Sequence, residues 1–275
     1  MCGFPVKRIW RHGATLMVIL FVVAVASDDP AEGWAVLMET NDFPEGYDDL
    51  PVDFVDIERM QDMLVYHGWQ KDHMLIKKDG ITPETVKEGL EYLKENADKN
   101  DIVLFYIGSH GGYIRHDLRW NETFPLWWDE IAIKKRVLII DSCYSGSFLP
   151  ESDSPYIGIA SVSAEESGWA GIPEEGLPVI GFVFTYYLCE SMKSDIPVEE
   201  GFEQTVPKVR EYMREVVYPA FEEVYPPEDY HNLYDPHPVM DDQYPGYLHL
   251  GVERTAPAPV FLVLLGMLVV IKRKS

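Results

Sequence analysis

The chain is poor in cysteine, with three in 275 residues. So few thiols argue against the disulfide framework of a small secreted domain. Basic side chains are scarce as well: 23 Lys and Arg stand against 46 Asp and Glu, a net charge of -23. That imbalance argues against nucleic acid or an anionic membrane surface as partner. The acids show no EF-hand spacing, and neither Cys nor His occurs in the paired spacing of a zinc site. No metal and no cofactor are expected, with calcium activation left open. No internal repeat is present, and no apolar run reaches the roughly 20 residues of a comfortable membrane-spanning helix.

Both ends nevertheless carry sorting signals. Lys7, Arg8 and Arg11 precede the apolar run Ala14 to Val23 and the small residues Ala24-Val25-Ala26, which predicts a signal peptide over 1–26. At the other end, 253–259 reads as a linker, 260–271 as a short transmembrane segment and 272–275 as a basic cytoplasmic tail. The basic finish speaks against a glycosylphosphatidylinositol tail. The expectation is a single-pass protein of the cell membrane whose body, 27–252, faces outward.

The body alternates strands and helices. Trp34 to Met38 reads as a strand, Asp53 to His67 as a helix stopped by Gly68, and Met74 to Ile76 as a second strand. Thr82-Pro83 starts another helix, with a hydroxyl cap and proline in the first turn. Asp101 to Ile107 and Val137 to Ile140 are aliphatic runs buried on both faces, separated by a loop-rich crossover. Tyr156 to Ser161 is predicted as a fifth strand. Val179 to Met192 and Val198 to Val217 are predicted helices, the second kinked at Pro207. Tyr218 to Tyr244 is expected to wrap the surface, and Tyr247 to Leu250 to form a last edge strand. This order predicts an α/β fold, a mostly parallel central sheet with helices on both faces.

Two strand ends carry chemistry. One runs into Gly108-Ser109-His110-Gly111-Gly112, the other into Asp141-Ser142-Cys143-Tyr144-Ser145-Gly146-Ser147. In open parallel sheets, ligands gather outside the carboxyl ends of the strands. A thiol ionises fully at neutral pH only with help from a nearby His or a helix N-terminus, and Cys143 has both in prospect. His110 is the candidate base, and the amides of Gly111 and Cys143 are the candidate oxyanion donors. Cys189 lies on an apolar helical face and reads as a buried, inert thiol. The other histidines read as surface or packing residues.

Together these two loops resemble the caspase, metacaspase and legumain clan of cysteine peptidases, and the resemblance covers most of the mature chain. It implies a caspase-like three-layer sandwich, a His110–Cys143 dyad acting on peptide or protein substrates, and an oxyanion hole at Gly111 and Cys143. Ala160-Ser161-Val162-Ser163-Ala164-Glu165 resembles the clan's substrate-lining strand, which makes Ser161 and Ser163 candidate substrate contacts. The chain departs from the animal-caspase signature Gln-Ala-Cys, since it reads Asp-Ser-Cys. Its short His-to-Cys interval leans towards legumain-like or prokaryotic members. The transamidase of the glycosylphosphatidylinositol pathway shares His-Gly-Gly and an anchored, exported body, so amine transfer stays open beside hydrolysis. A silent surface binding module is the alternative from another class.

Side-chain alternation puts Asp141 on the same face as Cys143, where its carboxylate would sit in a pocket for a basic residue before the scissile bond. The other use for Asp141 is to cap the turn ahead of it. The resemblance to metacaspases adds a second acid from the loop after the first strand, here Asp48 or Asp49.

Overall fold

A computed structural model describes residues 30–252. The segments read as signal peptide, linker, membrane segment and tail all lie outside the described residues. Within them no helix is long and apolar enough to cross a membrane.

The core is a six-stranded sheet of β1 (Gly33–Glu39), β2 (Met74–Lys78), β3 (Ile102–Gly108), β4 (Lys135–Asp141), β5 (Ile157–Ala160) and, skipping ahead, β8 (Val239–Asp242). Its order is β2-β1-β3-β4-β5-β8. The first five strands are parallel, and β8 runs antiparallel to β5. Alternation along each strand divides the side chains between two cores. Ala35, Leu37, Leu104, Tyr106, Val137 and Ile139 face α1 (Val55–Tyr66), α5 (Val183–Met192) and α6 (Val198–Tyr212). Val36, Met38, Val103, Phe105, Leu138 and Ile140 face α2 (Pro83–Asn96), α3 (Gly111–His116) and α4 (Trp120–Trp128). Helices therefore cover both faces, as a sheet apolar on both sides requires. At the start of α2, Thr82 Oγ1 accepts the Thr85 amide at 3.3 Å.

Several elements differ from expectation. The crossover holds two short helices, α3 and α4. They were hidden because one starts on two glycines and the other contains Pro125. A hairpin of two-residue strands, β6 (Ala170–Gly171) and β7 (Gly181–Phe182), precedes α5. Helix α6 runs through Pro207 and gives way instead to a π-helical turn at Met213–Val217. The segment 218–238 holds α7 (Tyr218–Phe221) and α8 (Pro227–Tyr234). The sheet is closed by acidic Val239–Asp242, not by Tyr247 to Leu250; Leu248 and Leu250 are buried against the α1–α5 core.

Candidate active site

The carboxyl ends of β1, β3 and β4 lie level, with Glu39 opposite Gly108 and Gly108 opposite Asp141. The loops leaving β3 and β4 therefore meet. His110 and Cys143 line one open cleft of about 330 Å³ together with Asp48, Asp49, Ser109, Trp169 and Tyr225. Gly111 lies so close to the other loop that a Cβ on it would sit 2.0 Å from the Cys143 carbonyl oxygen. Only glycine fits there. Among the described residues neither the Gly111 nor the Cys143 amide donates to a backbone carbonyl.

The imidazole of His110 is held from three sides. Its Nε2 lies 2.8 Å from the Asp48 carbonyl oxygen, so Nε2 carries the proton and donates. Phe43 packs at 4.6 Å between ring centroids and Tyr47 stacks at 6.1 Å. This leaves Nδ1 as the free acceptor. Cys143 is half-buried, and its Sγ lies 3.9 Å from the Gly168 carbonyl. Burial pushes its thiol above the ordinary value.

The turn after Cys143 differs from expectation. It opens onto a short 3-10 turn, Ser145–Phe148, and not onto an α-helix. Helix-dipole help for the thiol is therefore absent, because the chain passes through a left-handed residue, Tyr144 at φ 62°, before it coils. Cys189 is buried in α5 with its Sγ 3.4 Å from Met60 Sδ, and both described cysteines are free thiols.

Beneath the cleft three carboxyls are buried on the α1–α5 side of the sheet: Glu39, Asp56 and Asp141. Burial raises Glu39 to about 8, Asp56 to about 6 and Asp141 to about 7. Glu39 accepts the Ile57 amide at the start of α1, and Asp56 pairs with Arg59 at 2.7 Å. Asp141 Oδ2 accepts the amide and hydroxyl of Thr185 at 3.0 and 2.8 Å. Its partner is thus the first turn of α5, not the turn ahead of it. The Asp141 carboxyl borders a small cavity of about 10 Å³ behind Ser161, Gly168 and Trp169, room for one water at most.

The remaining candidates divide between cleft and support. Asp48 contributes its carbonyl to His110, and Asp49 accepts the Phe43 amide at 3.0 Å while lining the cleft. Ser161 Oγ bonds the Ser142 amide and the Ser145 hydroxyl, which puts it behind the Cys143 loop. Ser163 donates its amide to Glu166. Trp169 and Tyr225 carried no local signal, because their place in the cleft depends on contacts across the chain. Glu39 could have been found, since it shares the parity of buried Ala35 and Leu37 on β1. Among the described residues no three metal-ligating side chains converge.

The Caspase domain family matches residues 32–226. The chain belongs to that family. Membership carries the coarse activity with it, a cysteine peptidase of the caspase clan acting on peptides or proteins. The fold also resembles the crystal structure of caspase-1 from Spodoptera frugiperda, with TM-score 0.57 and 13% identity over 83% of this chain and 93% of that one. No curated protein is similar enough to count as a relative.

Proposed function

We propose that this caspase-domain protein is a cysteine endopeptidase in which Cys143 is the nucleophile and His110 the base. The observation that carries the reading is the pairing of two strand-end loops in one cleft, with His110 Nε2 tied to the Asp48 carbonyl and Nδ1 left free. Because burial keeps the resting thiol neutral, the proton leaves as the sulfur attacks, passing to His110 Nδ1. The amides of Gly111 and Cys143 donate to the oxyanion of the tetrahedral intermediate. His110 then protonates the leaving amine, and a water deprotonated by His110 hydrolyses the thioester.

A basic residue before the scissile bond fits the acid-rich ground beneath the cleft, with Asp141 as its partner. That side chain reaches Asp141 only when the small cavity behind Trp169 opens and Thr185 gives up the carboxylate. The sequence of the two ends supports export and attachment through 260–271; removing residues from 256 onward would then release active protein. The activity itself is tested with a positional peptide library. Turnover is expected from the parent and lost in Cys143→Ala, in His110→Ala and, no further, in the double variant, since a dyad acts as a unit. Near-parental turnover by Cys143→Ala would sink the reading, and preferential transfer to added hydroxylamine would make the chain a transamidase.

A further inference from the structure

The loop after β5 grips the nucleophile turn at four points. The Tyr144 amide donates to the Glu166 carbonyl at 2.7 Å, and the Gly146 amide to the Val162 carbonyl at 3.0 Å. Gly168 packs on the Ser142–Cys143 peptide, where a Cβ would come within 3.3 Å of Ser142, and the Cys143 thiol points at the Gly168 carbonyl. Tyr144 is a non-glycine residue in the left-handed region, a conformation that persists only where its surroundings impose it. The loop that imposes it is itself shaped by one side chain. Glu166 is only 5% exposed, and its Oε2 accepts the amides of Ser163 at 3.1 Å and His237 at 2.9 Å. Its Oε1 lies 2.6 Å from His237 Nδ1.

His237 belongs to the segment that follows α8. Two residues earlier Asp235 accepts from Nε and Nη2 of Arg210, at 2.6 and 2.7 Å, so the segment has a fixed seat. Although burial works the other way, the N–H donors of His237 and Ser163 hold the Glu166 carboxyl below its ordinary value, as expected of an ionised acceptor.

We propose that Glu166, clasped by His237, is a positioning residue for Cys143: through the Tyr144 amide and Gly168 it sets the thiol and the Cys143 amide, making the C-terminal segment part of the catalytic centre. The inference rests on Cys143 being the nucleophile. Misplacing a reacting group by about 1 Å is enough to lower turnover about 100-fold.

The test compares Glu166→Ala, Glu166→Gln, His237→Ala and His237→Asn in the full chain. Two quantities are read: peptide turnover, split into kcat and KM, and the rate at which iodoacetamide alkylates Cys143, followed by peptide mapping. Alkylation needs neither substrate nor turnover, so it reports on the thiol even if the peptidase reading fails. Glu166→Ala removes all three bonds and should lower kcat and the alkylation rate at least 10-fold, with KM changed less than threefold. His237→Ala should show part of that loss. An Asn side-chain amide can replace Nδ1–H, so His237→Asn should return both rates to within threefold of the parent. Should Glu166→Ala fail to fold, Glu166→Gln and the two His237 variants decide alone, with Glu166→Gln closer to the parent than His237→Ala. Folded variants with unchanged kcat and alkylation rates would overturn the proposal. So would a loss confined to KM, or a His237→Asn variant as impaired as His237→Ala.

Discussion

Replacing Glu39 by Gln should make the protein more stable in alkaline solution and somewhat less stable in acid. Glu39 is fully buried at the end of β1, where its carboxyl accepts the Ile57 amide and lies near Asp56. Burial, then repulsion from Asp56, raise it from 4.5 to about 8. The folded state thus holds a proton that the unfolded chain releases near pH 4.5. This contribution to stability is full below pH 4.5, falls as pH rises and levels off above about 8. At about 1.4 kcal/mol per tenfold change in proton affinity, the loss has a ceiling of about 5 kcal/mol. Gln keeps the acceptor for Ile57 and never ionises, but its NH2 must also be buried, which costs about 1–3 kcal/mol. A net gain of about 2 kcal/mol at pH 9 should raise Tm by roughly 4–8 °C. Urea and thermal unfolding of parent and variant at pH 4.5, 7 and 9 would measure it. The reasoning fails if the difference between the two proteins is the same at every pH, or if the parent gains on Glu39→Gln as pH rises.

Gly111→Ala should cut turnover more than 100-fold while the chain still folds, because the new Cβ collides with the Cys143 carbonyl and spreads the two loops; circular dichroism and peptide hydrolysis check both halves. Asp141 is raised to about 7 by burial and is ionised only above that pH. The ratio of kcat/KM for an Arg peptide over its Asn analogue should therefore climb between pH 6 and 8 in the parent and stay flat in Asp141→Asn. A ratio that ignores pH in the parent would remove Asp141 from substrate recognition. Cys189→Ser should cost stability without touching turnover, since burial among Met60 and its neighbours leaves a hydroxyl unpaired; a loss of activity in folded protein would contradict the reading of Cys189 as inert.

The sheet was legible because each buried strand announces itself locally: Val137 to Ile140 needs no partner to read as doubly covered. His110, Gly111 and Cys143 were legible for a related reason, being contiguous with the strand ends that hold them. What escaped was non-local or too short. The β6–β7 hairpin has two residues per strand, below any periodic signal. Val239–Asp242 carries two aspartates and forms a strand only because β5 offers a free edge. The partner of Asp141 lies 44 residues on, at Thr185, and that of Glu166 lies 71 residues on, at His237. No spacing rule connects such pairs; the fold does.

The central claim is that the Cys143 thiol, served by His110, attacks peptide carbonyls. Its most direct measurement is the rate and site of labelling by an electrophilic peptide, a peptidyl acyloxymethyl ketone, read by mass spectrometry. The account predicts a single adduct on Cys143, formed at least 100-fold more slowly in His110→Ala and blocked by a competing substrate peptide. An adduct on Cys189, or a Cys143 rate that His110→Ala leaves unchanged, would contradict it.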